Sequence, residues 1–360
     1  MTSLPPFPAN PPIGSLAPVR MNTTAFSRLV LSSPQPLPMP IATYPGMALT
    51  GALVRDVVTN PHAQFEIQAA LRGRYRTPVV LSAMDLSAEA DAFGCEVRLS
   101  DHEVPSIPGR LVTSRAEADR LAVPQPGDRR TGVYLEAVRL LRRVTGHPLV
   151  LGGCIGPFSL AARIVGVKEA MELTVLDPDL MHRVLEKSAR FLAAYVRAFS
   201  DAGAHGLIMA EPAAGLLSPR SMTAFSSDYI RQIAAAVDPA RFTLILHNCA
   251  AKVVHLPAML ATGLTAFHFG APMDLPVALG KVPAKVILCG NLDPAAVFCQ
   301  MTPEEVSVRT ADLLAATAGH RNFVISSGCD LPPDSWLASL DAFFDAVKVS
   351  GPTARTYLGR

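Results

Sequence analysis

The sequence predicts a single (β/α)8 barrel, a TIM barrel, on three observations. Eight short apolar runs recur from residue 38 to the end, segments with helical spacing separate them, and no long block of different composition marks off a second domain. The runs fall at 38–44, 78–85, 148–154, 206–211, 243–249, 265–270, 285–291 and 322–329. Each is a near-continuous apolar stretch, as expected of a parallel strand buried on both faces. A doubly wound sheet would use the same strands, because strand count alone does not establish closure.

The helical segments carry their own signals. In "LMHRVLEKSARFLAAYVRAFSDAG" the residues Leu180, Val184, Leu185, Phe191, Leu192 and Val196 form one apolar stripe that ends at Gly203. Asp177-Pro178, Ser218-Pro219, Asp293-Pro294 and Thr302-Pro303 each put a capping side chain before a proline, whose missing N–H costs nothing in a first helical turn. Thr302 with Glu305 also fits a capping box. The stretch at about 97–147, with "VPSIPGR" and "VPQPGDRR", reads as an insertion between the second and third strands, either a lid or a solvated excursion. Residues 1–20 are Pro-rich and lack the apolar block of a signal peptide, so they read as a disordered lead to a barrel domain at 21–360, and Met21 is an alternative start.

The chain has 360 residues, 49% hydrophobic and 17% charged, with a formal net charge of +2. A balance this neutral gives no reason to expect binding to nucleic acid or to a membrane surface. No stretch reaches the roughly 18 apolar residues of a spanning helix. Six cysteines are too dilute for a disulfide scaffold and read as reduced thiols, which together with the missing leader predicts a cytoplasmic protein.

In a parallel barrel the active site forms at the C-terminal ends of the strands. Those ends carry Tyr44, Asp85, Glu211, His247-Asn248-Cys249, Asn291 and Cys329-Asp330. Alternation along a strand points His247 and Cys249 to one side, with Cβ atoms roughly 6–7 Å apart. Cys329 ends the eighth strand, three positions round a closed barrel from the fifth. One nitrogen and two sulfurs suit Zn²⁺, and three protein ligands leave a fourth position open. Glu211, at the tip of the neighbouring fourth strand, is either a further ligand or a partner of the ligands. A histidine and a cysteine packed in a core are the other reading of the pair. Asp85 and Asp330 equally suit the cap of a helix or turn, and His205 and His268 read as satisfied buried histidines. Cys289 reads as lying one layer lower in its strand.

"MDLSAEADAFG" (84–94), "EPAAGLLSP" (211–219), "HNC" (247–249), "GNLDP" (290–294) and "SSGCDLPPDS" (326–335), in that order over most of the chain, resemble the uroporphyrinogen decarboxylase superfamily. The His-x-Cys with a distant Cys in "GCD" resembles its zinc-dependent branch, the methylcobamide:coenzyme M methyltransferases. This resemblance implies a catalytic zinc held by His247, Cys249 and Cys329 with Glu211, and a corrinoid of the methylcobalamin kind as co-substrate. It also implies a small-molecule thiol such as coenzyme M that receives the methyl group, or a methyl donor in the reverse direction. Tyr44, Asp85, Asn291 and Asp330 would then face substrate and corrinoid. There is no D-x-H-x-x-G motif, so the corrinoid would arrive on a separate corrinoid protein. The decarboxylases' Arg-rich motif after the first strand is replaced by "TYPGMA" (43–48), so tetrapyrrole decarboxylation is the disfavoured alternative.

Overall fold

Proline decides how the barrel closes. In the structure, a computed structural model that describes residues 24–349, the eight strands are β1 (Leu37–Pro38), β2 (Val79–Leu81), β3 (Leu149–Ile155), β4 (Gly206–Ala210), β5 (Thr243–Asn248), β6 (Ala266–Phe269), β7 (Ile287–Leu292) and β8 (Phe323–Ser327). The lead expected at 1–20 and the start at Met21 lie outside the described residues. All pairings between these strands are parallel and the order is β1-β8-β7-β6-β5-β4-β3-β2, each strand from β2 to β7 beside its successor, with β8 returning to β1. A doubly wound sheet reverses its strand order partway, so that alternative fails and the barrel stands.

The first strand is far shorter than the run at 38–44. Pro38 and Pro40 have no N–H to give. Only the residues between and after them can donate to β8, Met39 N–H to the Ile325 carbonyl (2.9 Å) and Ile41 N–H to Ser327 Oγ (3.0 Å). Tyr44–Gly46 then turns into a 3₁₀ helix.

Between β1 and β2 there is no ladder among the described residues, and a buried glutamine of the helix Pro61–Tyr75, Gln68, bridges that seam while Gln64 ties the end of β2 to the helix Val54–Thr59. Gln68 Nε2 donates to the Ala42 carbonyl (3.1 Å) while its Oε1 accepts from Leu81 N–H (3.3 Å). Gln64 Oε1 accepts from Ala83 N–H (3.0 Å) and its Nε2 donates to the Val57 carbonyl (2.8 Å). These carboxamides satisfy backbone groups of the seam and of the helix Val54–Thr59 that a buried backbone cannot leave unpaired.

The helices follow their caps. Asp177 Oδ1 accepts from Leu180 N–H (3.1 Å) to open Pro178–Asp201, whose predicted stripe is buried throughout. Ser218 Oγ accepts from Ser221 N–H (3.1 Å), and Thr302 with Glu305 forms the capping box of Pro303–Ala316. Asp293 differs, since its Oδ1 accepts from Ala295 and Ala296 N–H but residues 294–299 form turns, not a regular helix. Inside the stretch 97–147, the helix Thr131–Leu141 packs on β3 and on Pro61–Tyr75 as part of the barrel wall, and Val104 and Pro105 reach the barrel mouth.

The barrel interior is an apolar layer that includes Leu151, Ile208, Ile245, Ala266, Ile287, Cys289 and Val324. Two residues further along β5, β6 and β8, strand alternation stacks His247, His268 and Ser326 directly above that layer. The site is therefore built on the packed floor of the barrel.

Gln68→Leu would keep side-chain volume but strand Leu81 N–H and the Ala42 carbonyl at the seam. It should cost about 1–3 kcal/mol for each buried group left unpaired. Urea denaturation reads this as a lowered midpoint, and a midpoint equal to that of the unmodified protein would mean that the seam needs no bridge.

Candidate functional site

Ligating atoms of His247, Cys249 and Cys329 all lie within 4.8 Å of one another. His247 is fully buried at the tip of β5, while both cysteines are half-buried at the edge of a cleft of about 340 Å³. Gly270 lets the tips meet, because a Cβ there would lie 2.2 Å from the Cys249 carbonyl oxygen. Asn248 fixes β5 to β4 by donating from Nδ2 to the Glu211 carbonyl (2.7 Å).

The proton on His247 can be placed by following its partners. Ser326 Oγ–H donates to the Met39 carbonyl (2.6 Å), a group that can only accept. Ser326 Oγ must then accept from His268 Nε2–H (2.8 Å). Burial and the neighbouring His247 hold His268 well below the usual histidine range, so it is neutral and its Nδ1 carries a lone pair. That lone pair accepts from His247 Nδ1–H (2.8 Å), which leaves His247 Nε2 unprotonated and facing Cys329 Sγ at 3.4 Å. This is the tautomer that a metal ligand requires, fixed by the hydrogen bond on its other nitrogen.

The sulfurs form an asymmetric pair. A hydrogen bond from the Cys329 thiol draws Cys249 down toward the thiolate. The same hydrogen bond and burial push Cys329 up. One imidazole nitrogen and two sulfurs on one side of a cleft fit Zn²⁺, with a position left open toward the cleft. The set can hold such an ion and present it to a small molecule.

Glu211 does not join this cluster. Its carboxylate turns to the N-terminus of the helix Pro157–Val165, where Oε1 accepts from Phe158 N–H (2.7 Å) and Ser226 Oγ–H (2.8 Å), and Oε2 from Ser159 N–H (2.9 Å). Three donors and the positive end of the helix account for this orientation. Gly156 leaves room for it, since a Cβ there would lie 2.4 Å from Oε2. The direct ligation expected of Glu211 thus gives way to a buried cap that holds β3 and β4 together.

The remaining expected residues divide. Tyr44, Asp85 and Asp330 line the cleft with the metal cluster. Tyr44 Oη and Asp330 Oδ1 are buried and have no hydrogen-bond partner. Asp85 is saturated, with Oδ1 accepting from Ser87 N–H (2.8 Å) and Ser87 Oγ–H, and Oδ2 from Tyr134 Oη–H (2.8 Å) and the Arg130 guanidinium. Asn291 is not part of the cleft wall among the described residues. Its Nδ2 donates to the Gly270 (3.1 Å) and Met273 (2.6 Å) carbonyls and ties down the loop after β6. Sequence reasoning missed Ser326, Arg130, Tyr134 and Arg163, and it placed His268 as merely buried. His268 pairs in register with His247, and in-register strand-tip histidines are the signal that would have found it.

Two variants separate ligands from framework. Glu211→Gln should leave metal content unchanged while lowering stability by about 1–3 kcal/mol, because an amide cannot accept from all three donors; a loss of metal measured by mass spectrometry would restore Glu211 as a ligand. His268→Phe should lower zinc affinity roughly 10–100-fold in a chelator competition. In the metal-free protein it should also shift the ¹⁵N resonances of His247 away from the Nδ1–H tautomer, and unchanged resonances would remove His268 from that role.

The methylcobamide:CoM methyltransferase MtbA of Methanosarcina mazei is 29% identical over 295 residues, covering 80% of this chain and 85% of that one. A uroporphyrinogen decarboxylase of Psychromonas ingrahamii is 27% identical over 81% of this chain and 82% of its own. A solved methyltransferase from Methanosarcina mazei superposes with a TM-score of 0.80 at 22% identity, over 90% of this chain and 97% of that one, and shows the same fold. The pattern of the family described as uroporphyrinogen decarboxylase (URO-D) matches residues 41–349. The chain belongs to the uroporphyrinogen decarboxylase family.

Proposed function

We propose that this protein is a zinc-dependent methyltransferase that moves a methyl group between a corrinoid and a small thiol. The observation that supports it best is the His247–Cys249–Cys329 cluster, with its tautomer already set, opening into a cleft sized for a small molecule. The relatives named methylcobamide:CoM methyltransferases support the same reaction class.

A free thiol has a pKa near 8.5 and is mostly protonated at neutral pH. Zinc, when bound, supplies a Lewis acid that lets such a thiol exist as a thiolate at that pH. The chain's own residues do the rest. His247 offers Nε2 because His268 accepts its Nδ1 proton, and the two cysteine sulfurs offset the charge of the ion. Apolar side chains including Met84, Leu86 and Leu331 limit water in the cleft, which strengthens every charge interaction inside it. In the transfer the thiol loses its proton to solvent, its sulfur takes the methyl group without the bonding electron pair, and that pair stays on cobalt as Co(III) becomes Co(I).

The corrinoid is a substrate that arrives from outside, carried by a corrinoid protein. Exposed Val104, Leu216, Val254 and Trp336 all lie in connections that follow β2, β4, β5 and β8, on the strand-end side of the barrel, where exposed apolar side chains suit a docking partner. No helix among the described residues is long and apolar enough to cross a membrane.

Decarboxylation of a multiply carboxylated tetrapyrrole has less support. Among the described residues Arg163 is the one arginine or lysine lining the cleft, and Arg130 is consumed by Asp85, Asp91 and Ser87.

Purified protein should hold close to one zinc per chain, and Cys249→Ala or Cys329→Ala should lose most of it by elemental analysis. Methylcobalamin with a thiol should show a zinc-dependent loss of the methyl-Co(III) spectrum, reduced at least about 100-fold in either variant, since a group activating the nucleophile is worth several kcal/mol. Zinc retained in both variants would overturn the assignment. No spectral change with any thiol, but methylation of Co(I) by a methyl thioether, would reverse the direction.

A further inference from the structure

Cys249 and Cys329 come from strands that are not neighbours. In the barrel order β6 and β7 stand between β5 and β8, and three inter-strand steps of about 4.8 Å round a curved wall would put the ends of β5 and β8 roughly 12–14 Å apart. Two cysteine side chains, each reaching about 3 Å from its Cα, close only part of that gap. The ligating atoms of His247, Cys249 and Cys329 nevertheless lie within 4.8 Å of one another.

The rest of the distance is closed by the strand tips, which lean together with backbone against backbone. Gly270, the first residue beyond β6, packs on Cys249, where a Cβ would lie 2.7 Å from the cysteine Cα. Gly328, the first residue beyond β8, packs on the same stretch from the other side. A Cβ there would lie 3.1 Å from Ala271 N, 3.1 Å from the Leu292 carbonyl oxygen and 3.2 Å from the Asn291 carbonyl oxygen. Its N–H donates to the Leu292 carbonyl (2.5 Å). One cysteine is thus connected to the other through Gly270, Ala271 and Gly328, and the packing of these backbones sets the span between them.

The weak point of that path is the bend at 270–273. It has left the sheet, since β6 pairs with β5 as far as Phe269 and with β7 only as far as His268. Within the bend Met273 N–H donates to the Gly270 carbonyl (3.1 Å). Asn291, on β7 and in register with Ser326 of β8, clamps both ends of it, because its Nδ2 donates to the Gly270 (3.1 Å) and Met273 (2.6 Å) carbonyls. Both partners can only accept, so they fix which end of the carboxamide faces them and engage both of its N–H groups. The bond to the Gly270 carbonyl holds the residue on which Cys249 rests, and the backbone of Asn291 abuts the glycine before Cys329. A single side chain outside the cleft wall therefore touches the supports of both cysteines.

We propose that Asn291 is a positioning residue that sets the span between Cys249 and Cys329, and with it the sulfur geometry offered to a metal ion. This rests on the reading of the cluster as a metal site. With the carboxamide in place the bend is pre-formed and one tetrahedral ion meets both sulfurs without rearranging the loops. Without it the bend is released, and part of the binding energy goes into ordering it again.

Asn291→Leu keeps the volume and removes both donors, and Asn291→Asp keeps the shape but can only accept when ionised. Phenylarsine oxide, an arsenic(III) reagent that bridges two thiols and needs no histidine, reads the span in metal-free protein. Both variants should bind it at least about tenfold more weakly than the unmodified protein does. With Co²⁺ as the probe, the unmodified protein should show the d–d bands of a tetrahedral site with sulfur ligands. Both variants should show those bands shifted and weakened, with affinity lowered roughly 10–100-fold in a chelator competition. Lowered stability in urea, with arsenical binding and cobalt bands equal to those of the unmodified protein, overturns the proposal and leaves the metal site standing. Weaker arsenical binding by the variants, when no form of the protein takes up Co²⁺ or Zn²⁺, overturns the zinc-dependent reading and leaves the positioning role standing. The unmodified protein gives a measurement that needs no variant to fold: both Asn291 Nδ2 protons should be protected from exchange before any metal is added, and freely exchanging protons overturn the proposal.

Discussion

The site depends on a single unbranched chain of hydrogen bonds across the floor of the barrel mouth, from the Met39 carbonyl through Ser326 and His268 to His247. Each group in it is buried, and a buried polar group left unpaired would cost more than any single contact nearby contributes. Only one arrangement of protons satisfies all of them, because the chain starts at a carbonyl that cannot donate. The outcome at the far end is a lone pair on His247 Nε2. Strand register sets up the chain, with β5 and β6 pairing His247 to His268 and β8 supplying Ser326 two positions above Val324.

A second constraint acts on the carboxylates. Glu211 is held by the start of a helix and Asp85 by Arg130, Tyr134 and Ser87, so neither offers oxygen to the cluster. The donors that remain at the mouth are an imidazole nitrogen and two sulfurs, a borderline-soft set that discriminates against Mg²⁺ and Ca²⁺. Within a family whose named decarboxylases share about the same identity with this chain as the named methyltransferases, the donor set distinguishes the two chemistries better than overall similarity does.

What could be read from the sequence follows from how local the cause is. Strands buried on both faces announce themselves as apolar runs, and seven of the eight lie where those runs put them. The eighth, β1, was overestimated because its prolines remove alternate donors while leaving the run apolar. Caps of the Asp177 and Thr302 kind are decided within four residues and were legible. His247, Cys249 and Cys329 were legible as strand tips because the fold itself brings strand tips together. The orientation of Glu211 was not legible for a nonlocal reason, since its partners Phe158, Ser159 and Ser226 lie on other elements and only packing brings them to it. Arg163 gave no signal at all, because an arginine in a last helical turn is ordinarily a solvated end of the helix dipole.

The two cysteines show why a ligand motif is not by itself a site. Their sulfurs are held close enough to share a hydrogen bond, and two neighbouring thiolates would repel each other in so dry a place. Without a cation, then, one proton must stay between them, as the opposite displacements of Cys249 and Cys329 express. A divalent ion removes that conflict by replacing the proton and drawing both sulfurs to itself. The apolar cleft makes the replacement more favourable, because in low dielectric the attraction between ion and thiolates outweighs what the sulfurs lose in hydration only when both are fully engaged. A His-x-Cys pair in a solvated loop would feel none of this. The barrel supplies a second cysteine from β8, the matching tautomer from β6 and the dry wall from the loops, and these turn the pair into a donor set that could hold a metal ion.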